Sequence, residues 1–263
     1  YTIHIKTKAF DPLLPAYLTG IMIVSSDIGE VEPADFNSGK ATIGTGPYKF
    51  ITYKPGEKIE FEAFGDYWGK KAEWSKVTVL PITSNPSRVS ALLSGDVDVI
   101  NAVPTTEMER LSNDDNIDMV QTESNRVIFW VPDIAREDTP HVRGNDGSKI
   151  KNPMSDLRVR QAFTLAINRD GIVDDVMQGW AVPANQVVPE QLGGHNPDIE
   201  IPDYNLAKAK KLMAEAGYAD GFKMTIHGTN NRYINDGKLA QAVGQMLARL
   251  NIDVTVETQP VTG

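Results

Sequence analysis

The chain has 263 residues, 41% of them hydrophobic and 23% charged, which is room for one or two domains with a sizeable core. Its net charge of −9 argues against a nucleic-acid partner, whose phosphates require a basic stripe. The absence of cysteine excludes thiol catalysis, disulfide frameworks and cysteine-based zinc sites, and fits an oxidising compartment; no apolar run approaches the ~18 residues of a membrane span.

In chain order, Tyr1, Ile3 and Ile5 alternate with polar residues and predict a strand at the very start. The chain closes directly after another strand pattern, so flanking sequence is expected at both ends. "DPLLPAYLTGIMIVSS" predicts a short or irregular helix from about Pro12 to Val24. The glycine pair of "ATIGTGPYKF" raises the question of a phosphate loop. Pro47 removes a backbone donor, the residues after it alternate as a strand, and neither glycine-rich phosphate spacing is met. The segment therefore reads as a tight entry into a strand, with Tyr48 and Phe50 on one face.

"YKFITYKPGEKIEFEAF" predicts a hairpin turning at Pro55-Gly56, followed by an aromatic turn at "DYWG" and a strand over Lys76 to Ile82. "NPSRVSALLSGD" predicts a helix capped by Asn85, with Pro86 in its first turn and Gly95 at its end. "DVDVI" predicts a strand, and the spacing of Thr106 and Glu109 a capping box on the next helix. "IDMVQTE" and "RVIFWVPDI" predict two further strands. From Asp133 to Asp156 the chain is polar, the length of a functional loop or a boundary.

Beyond it the pattern is helical. Val159, Ala162, Phe163, Ala166 and Ile167 share one face, and "RDGIVDDVMQG" gives a second short helix ending near Gly179. A third is capped by Asn205 and stopped by Gly217. "FKMTIHG", a helix from about Asp236 to Leu250 and "IDVTVET" form a strand–helix–strand unit, which implies a parallel pair.

Chemistry-bearing motifs are sparse. There is no G-x-S-x-G or H-E-x-x-H, and His4, His141, His195 and His227 are scattered without ligand spacing, so no metal or cofactor is expected. Asp114-Asp115 and Asp174-Asp175 are adjacent pairs whose side chains point apart on a helix. This silence favours a binding protein. Asn125, Arg126, Phe129 and Trp130 stand where the chain changes character and suit a ligand cleft, or, for the two rings, a core strand. Trp180 either faces ligand or covers a helix end.

The series "GTGPYKF…YKPGEKIEFE…DYWG", "RVSALLSGDVDVI", "DLRVRQAFTLAINRDGIVDDVMQG" and "YNLAKAKKLMAEAGYADGF" resembles, in order and spacing, the extracellular solute-binding proteins of the peptide/nickel type, the dipeptide- and oligopeptide-binding family of ABC importers. The resemblance implies an α/β fold of the two-lobed periplasmic-binding-protein (type II, flytrap) architecture, present as a fragment. Residues 1–124 would be part of lobe one, and residues 125–263 the hinge and first part of lobe two. It implies a monomeric, periplasmic or extracellular protein that hands a short peptide to a membrane permease, with Asn125, Arg126, Phe129 and Trp130, then Tyr48 and Trp180, as ligand contacts. Sugar, opine, nickel-chelate or haem binding are alternatives within the family. An α/β hydrolase or an interaction module are alternatives outside it.

Overall fold

The computed structural model describes residues 2–261. The chain divides into two compact units, one up to Arg88 and one from Val89 onward, upstream of the lobe boundary expected at 124/125.

The first unit opens with α1 (Leu14–Leu18), a 3-10 turn at Ser26–Ile28 and α2 (Pro33–Asn37), followed by β1 (Tyr48–Lys54), β2 (Lys58–Ala63) and β3 (Lys76–Val79). The three strands form one antiparallel sheet in sequence order. The hairpin turns where expected: Gly56 has φ +72°, and Glu57 N donates to the Lys54 carbonyl at 2.9 Å. Phe50 and Phe61 are register partners and meet edge-on, with ring centroids 6.2 Å apart. Gly39 is required beneath Phe50: its φ is +84°, and a Cβ there would lie 2.1 Å from Phe50 Cε1.

The helix α3 (Asn85–Ser94) carries the division between the units. Its cap is one residue earlier than expected: Ser84 Oγ accepts from Ser87 N at 3.4 Å, while Asn85 Oδ1 accepts from the Arg88 guanidinium at 2.7 Å. Gly95, with φ +77°, ends it as expected.

The second unit contains α4 (Thr105–Ser112), β4 (Val142–Arg143), a 3-10 turn at Pro153–Ser155, α5 (Leu157–Ala166) and the three-residue α6 (Arg169–Gly171). A π-helical turn at Ile172–Val176, α7 (Leu206–Glu215), β5 (Lys223–Thr229), α8 (Asp236–Ala248) and β6 (Asp253–Gln259) complete it. Its sheet has the order β4-β5-β6, with β4 antiparallel and β6 parallel to β5. Among the described residues no strand pairs with the outer edge of β6.

The core lies between this sheet and its helices. Val159, Ala162 and Ala166 of α5, Ala209 and Met213 of α7, Val243 and Leu247 of α8, and Phe222 and Ile226 at β5 are all buried. The small residues of α5 and α7 let the two helices approach closely, and Gly244 does the same for α8, since a Cβ there would come 2.7 Å from Val256 Cγ2. Asp156 caps α5 by accepting from Arg158 N at 2.8 Å, Asn205 caps α7 through Lys208 N at 2.9 Å, and Gly217 closes α7 with φ +86°.

Four expected strands are absent among the described residues. Residues 2–6, 96–100, 117–123 and 126–134 are extended or bent but pair with no neighbour. Tyr1, part of the first of these readings, lies outside the described residues, as do Thr262 and Gly263. Alternation prepares a segment for a sheet, but a strand exists only where another edge accepts its hydrogen bonds. Several of their apolar residues remain in solvent: Val120 is 96% exposed and Val131 79%.

The helix expected over 12–24 is only α1, with Ile21 to Val24 extended and exposed. Pro104, not Thr106, stands at the α4 N-cap, without a side-chain cap bond. The helix expected over 169–179 is a single α turn continued by the π turn, held by Asn168 Oδ1 accepting from Gly171 N at 3.1 Å.

The glycines of "GTG" are also not needed for backbone reasons. Gly44 and Gly46 have no positive φ, and a Cβ on either would meet nothing within 4 Å. The segment leads into β1 and presents no helix N-terminus to an anion.

Candidate binding site

In an open α/β sheet, ligands collect beyond the carboxyl ends of parallel strands, where loops gather over the helix that follows. Here that place is the loop between β5 and α8, from Thr229 to Asp236. Its backbone is organised around one buried carboxylate. Asp236 Oδ2 accepts from Thr229 Oγ1 at 2.6 Å, Arg232 N at 3.0 Å and Tyr233 N at 3.2 Å; Oδ1 accepts from Gly237 N at 2.9 Å. Burial pushes this carboxyl's pKa up, but the four hydrogen bonds outweigh it and hold the group below the ordinary carboxylate value.

Asn235, immediately before the helix, adopts a left-handed backbone with φ +58°. Its side-chain amide donates to Thr105 Oγ1 at 2.9 Å and to the Val176 carbonyl at 3.0 Å. One amide thus ties the start of α4, the end of the π turn and the start of α8 into a single frame. On that frame the loop presents Asn230, Asn231 and Arg232 to solvent, with Tyr233 half-buried. Arg232 Nε donates to Tyr233 Oη at 2.8 Å, which fixes the guanidinium over the ring. Beside this loop an open groove of about 560 Å³ runs along α8, lined by Val176, Gly237, Lys238, Gln241, Gln245 and Thr258. Neutral amides, one ammonium and one guanidinium suit the carbonyls and carboxylate of a small polar solute.

The residues singled out in the sequence fall in different surroundings. Asn125 and Arg126 are exposed on an irregular segment, where Arg126 N donates to Ser124 Oγ at 3.2 Å and Gln191 Nε2 to the Ser124 carbonyl at 3.1 Å. Phe129 is 57% exposed, whereas Trp130 packs against the core of the second unit. Trp180 is half-buried, its N donating to the Met177 carbonyl at 2.9 Å, just after the positive-φ pair Gln178 and Gly179. Tyr48 is half-buried at the head of β1 in the first unit.

Sequence reasoning started the helix near Asp236 but passed over Asn235 and the "TNNRYIND" loop, although an Asn-Asp pair between a strand and a helix is a legible capping signal. It also missed Asn152. This residue is 1% exposed, and its amide donates to the carbonyls of Asp133 at 2.6 Å and Arg136 at 2.9 Å, drawing the polar stretch 133–156 into an ordered fold. The histidines are less scattered than expected, because His141 and His227, 86 residues apart, place ring nitrogens 3.1 Å from each other. Among the described residues no group of three metal-ligating side chains converges. Asp174 and Asp175 are exposed, as expected of a solvated face.

The family described as "Bacterial extracellular solute-binding proteins, family 5 Middle" matches residues 1–262. The dipeptide-binding protein of Escherichia coli K12 is 30% identical over 199 residues, covering 75% of this chain and 34% of that protein. Heme-binding protein A of Haemophilus influenzae is 25% identical over 273 residues, covering 99% and 46%. The periplasmic binding protein DppA of Helicobacter pylori, solved in complex with the peptide STSA, superposes with a TM-score of 0.67 at 28% identity, covering 94% of this chain and 46% of that one. The chain therefore spans less than half the length of these relatives. A match along almost its whole length places it: the chain belongs to the bacterial extracellular solute-binding proteins of family 5.

Proposed function

We propose that the chain is the middle part of the solute-binding component of an ABC importer, which captures short peptides outside the cytoplasmic membrane and passes them to a membrane permease. The observation that carries this reading is the loop from Thr229 to Asp236. It is a polar surface at the carboxyl end of a parallel pair, built on a carboxylate that accepts four hydrogen bonds. The carboxylate spends its acceptors on holding the loop together, Thr229 Oγ1 included, which suits a surface that holds a solute. Family membership and the likeness to a peptide-bound relative support the peptide class.

In this reading the intact protein acts as a monomer in the periplasm or at the outer cell surface. Two lobes meet near Asn125 and close over the solute, because the closed state binds it better than the open one. Asn125, Arg126 and Phe129, with Tyr48 and Trp180, contact the solute, and Trp130 supports them from the core. Main-chain hydrogen bonds supply affinity while wet pockets tolerate varied side chains.

The test is native mass spectrometry of the intact protein purified without denaturation, followed by small-angle scattering with the released molecule. A co-purified peptide and a smaller radius of gyration on re-addition are expected. A co-purified haem or sugar would overturn the peptide class, and a confirmed ligand that leaves the radius unchanged would overturn closure.

A further inference from the structure

On the face of the second sheet opposite α8, two side chains on β5 and β6 and one just before β4 lie in a row, each beside the next. Thr225 N donates to the His141 carbonyl at 2.9 Å, which seats His141 at the head of β4 beside β5. His227 and Glu257 are register partners across the parallel pair β5–β6. Gly228 and Val256, their neighbours in sequence, face α8, so His227 and Glu257 point the other way. His141 Nδ1 lies 3.1 Å from His227 Nε2, with the rings edge-on at 74° and their centroids 4.6 Å apart. The remaining nitrogen of His227, Nδ1, lies 3.4 Å from Glu257 Oε2.

We propose that His141 and His227 form a two-nitrogen site for a borderline divalent transition-metal ion, with Cu²⁺ held more tightly than Ni²⁺ or Zn²⁺. Two adjacent nitrogens bound to such an ion at about 2.0–2.1 Å sit roughly 3 Å apart, which is the separation found here before any ion arrives. Glu257 is placed for the outer-carboxylate part: with its Oε2 3.4 Å from His227 Nδ1, it favours the tautomer with the hydrogen on Nδ1, which leaves the Nε2 lone pair to the site. Without the ion, His141 Nδ1–H donates to that lone pair. On binding, the hydrogen passes through solvent to Nε2 of the same ring, and both facing nitrogens become ligands with no change in the charge of either imidazole.

All three side chains are exposed, so water has room to complete the coordination. No third protein ligand converges among the described residues. The preference for Cu²⁺ follows from imidazole donors and the general order of divalent affinities. An ion here would staple the two-residue β4, and the polar stretch 133–156 that contains it, onto β5. The proposal is independent of solute capture.

The test titrates Cu²⁺ alone into the intact, untagged protein, followed by calorimetry and electron paramagnetic resonance. One equivalent showing hyperfine coupling to two imidazole nitrogens is expected, with weaker binding of Ni²⁺ and Zn²⁺. His141→Ala and His227→Ala should each remove the two-nitrogen signal, and Glu257→Gln should weaken Cu²⁺ by about tenfold. Both histidines are at the surface, and an unchanged circular dichroism spectrum would verify that each variant folds. A copper signal with one nitrogen or none, or wild-type copper affinity in either alanine variant, would overturn the site.

Discussion

Replacing Asp236 by asparagine tests the architecture of the β5–α8 loop with almost no change in volume. In the wild type, one oxygen accepts three hydrogen bonds and the other accepts one. An asparagine must put an NH₂ at one of those places. The less damaging orientation sets it against Gly237 N, which loses that bond and opposes two donors. The other three bonds survive but become neutral, each weakened by about 1 kcal/mol, while the lost charged bond is worth about 1.5–3 kcal/mol. Relief from burying a charge offsets part of this, leaving a net loss of about 2–3 kcal/mol, a large share of the ~5–15 kcal/mol that holds a domain.

Urea unfolding at neutral pH should read that difference, and hydrogen exchange should show the Gly237 amide losing protection. The pH dependence adds a second check. The folded carboxyl titrates below its unfolded value, so its contribution is complete above about pH 4 and is lost as the pH falls through the folded value. The gap between wild type and Asp236→Asn should therefore be flat from about pH 5 to 7 and close in more acidic solution. A variant within about 0.5 kcal/mol of wild type at pH 7, or a gap that persists undiminished at about pH 2, would refute the reasoning.

Gly221→Ala should be among the most damaging single changes. Its φ is +70° and the added Cβ would fall 1.8 Å from the Asn251 carbonyl oxygen, so thermal unfolding should show a loss above about 2 kcal/mol. Asp156→Ala removes the α5 cap and should cost about 1 kcal/mol at neutral pH. Hydrogen bonds from the Arg158 side chain and backbone depress the Asp156 pKa to about 2, so this cost should shrink as the pH falls from about 4 toward that value. Phe129→Ala and Trp130→Ala should separate surface from core: in the intact protein the first weakens solute binding at unchanged melting temperature, and the second lowers the melting temperature by several degrees. Equal affinity in the Phe129 variant would return that ring to the ordinary surface.

The elements legible in the sequence were those written in local turn chemistry and periodicity. The Pro55-Gly56 hairpin, the Asn205 cap with Gly217, the buried face of α5 and the parallel β5–α8–β6 unit all emerge from turn chemistry and periodicity. The segments 117–123 and 126–134 are rich in apolar and β-branched residues, yet such composition cannot supply a partner edge. Asn152 and Asn235 were invisible for a related reason. An asparagine reads as a loop residue, and only the folded chain brings carbonyls from Asp133, Arg136 and Val176 to their amides. The order of the family motifs was readable throughout. The binding loop at Thr229–Asp236 was not, since its polar residues form no recurring spacing and gain meaning only from their place beyond a parallel strand.

Among the described residues the outer edge of β6 has no partner strand, and this has a consequence for handling the chain. Seven residues paired on one side only form a template on which a second molecule could build, the usual first step toward aggregation. Asp253 and Glu257 stand on the same side of that strand, and a copy stacked parallel and in register would set each carboxylate against its twin. That repulsion opposes self-assembly and is screened by salt, so the chain will be hardest to concentrate at high ionic strength.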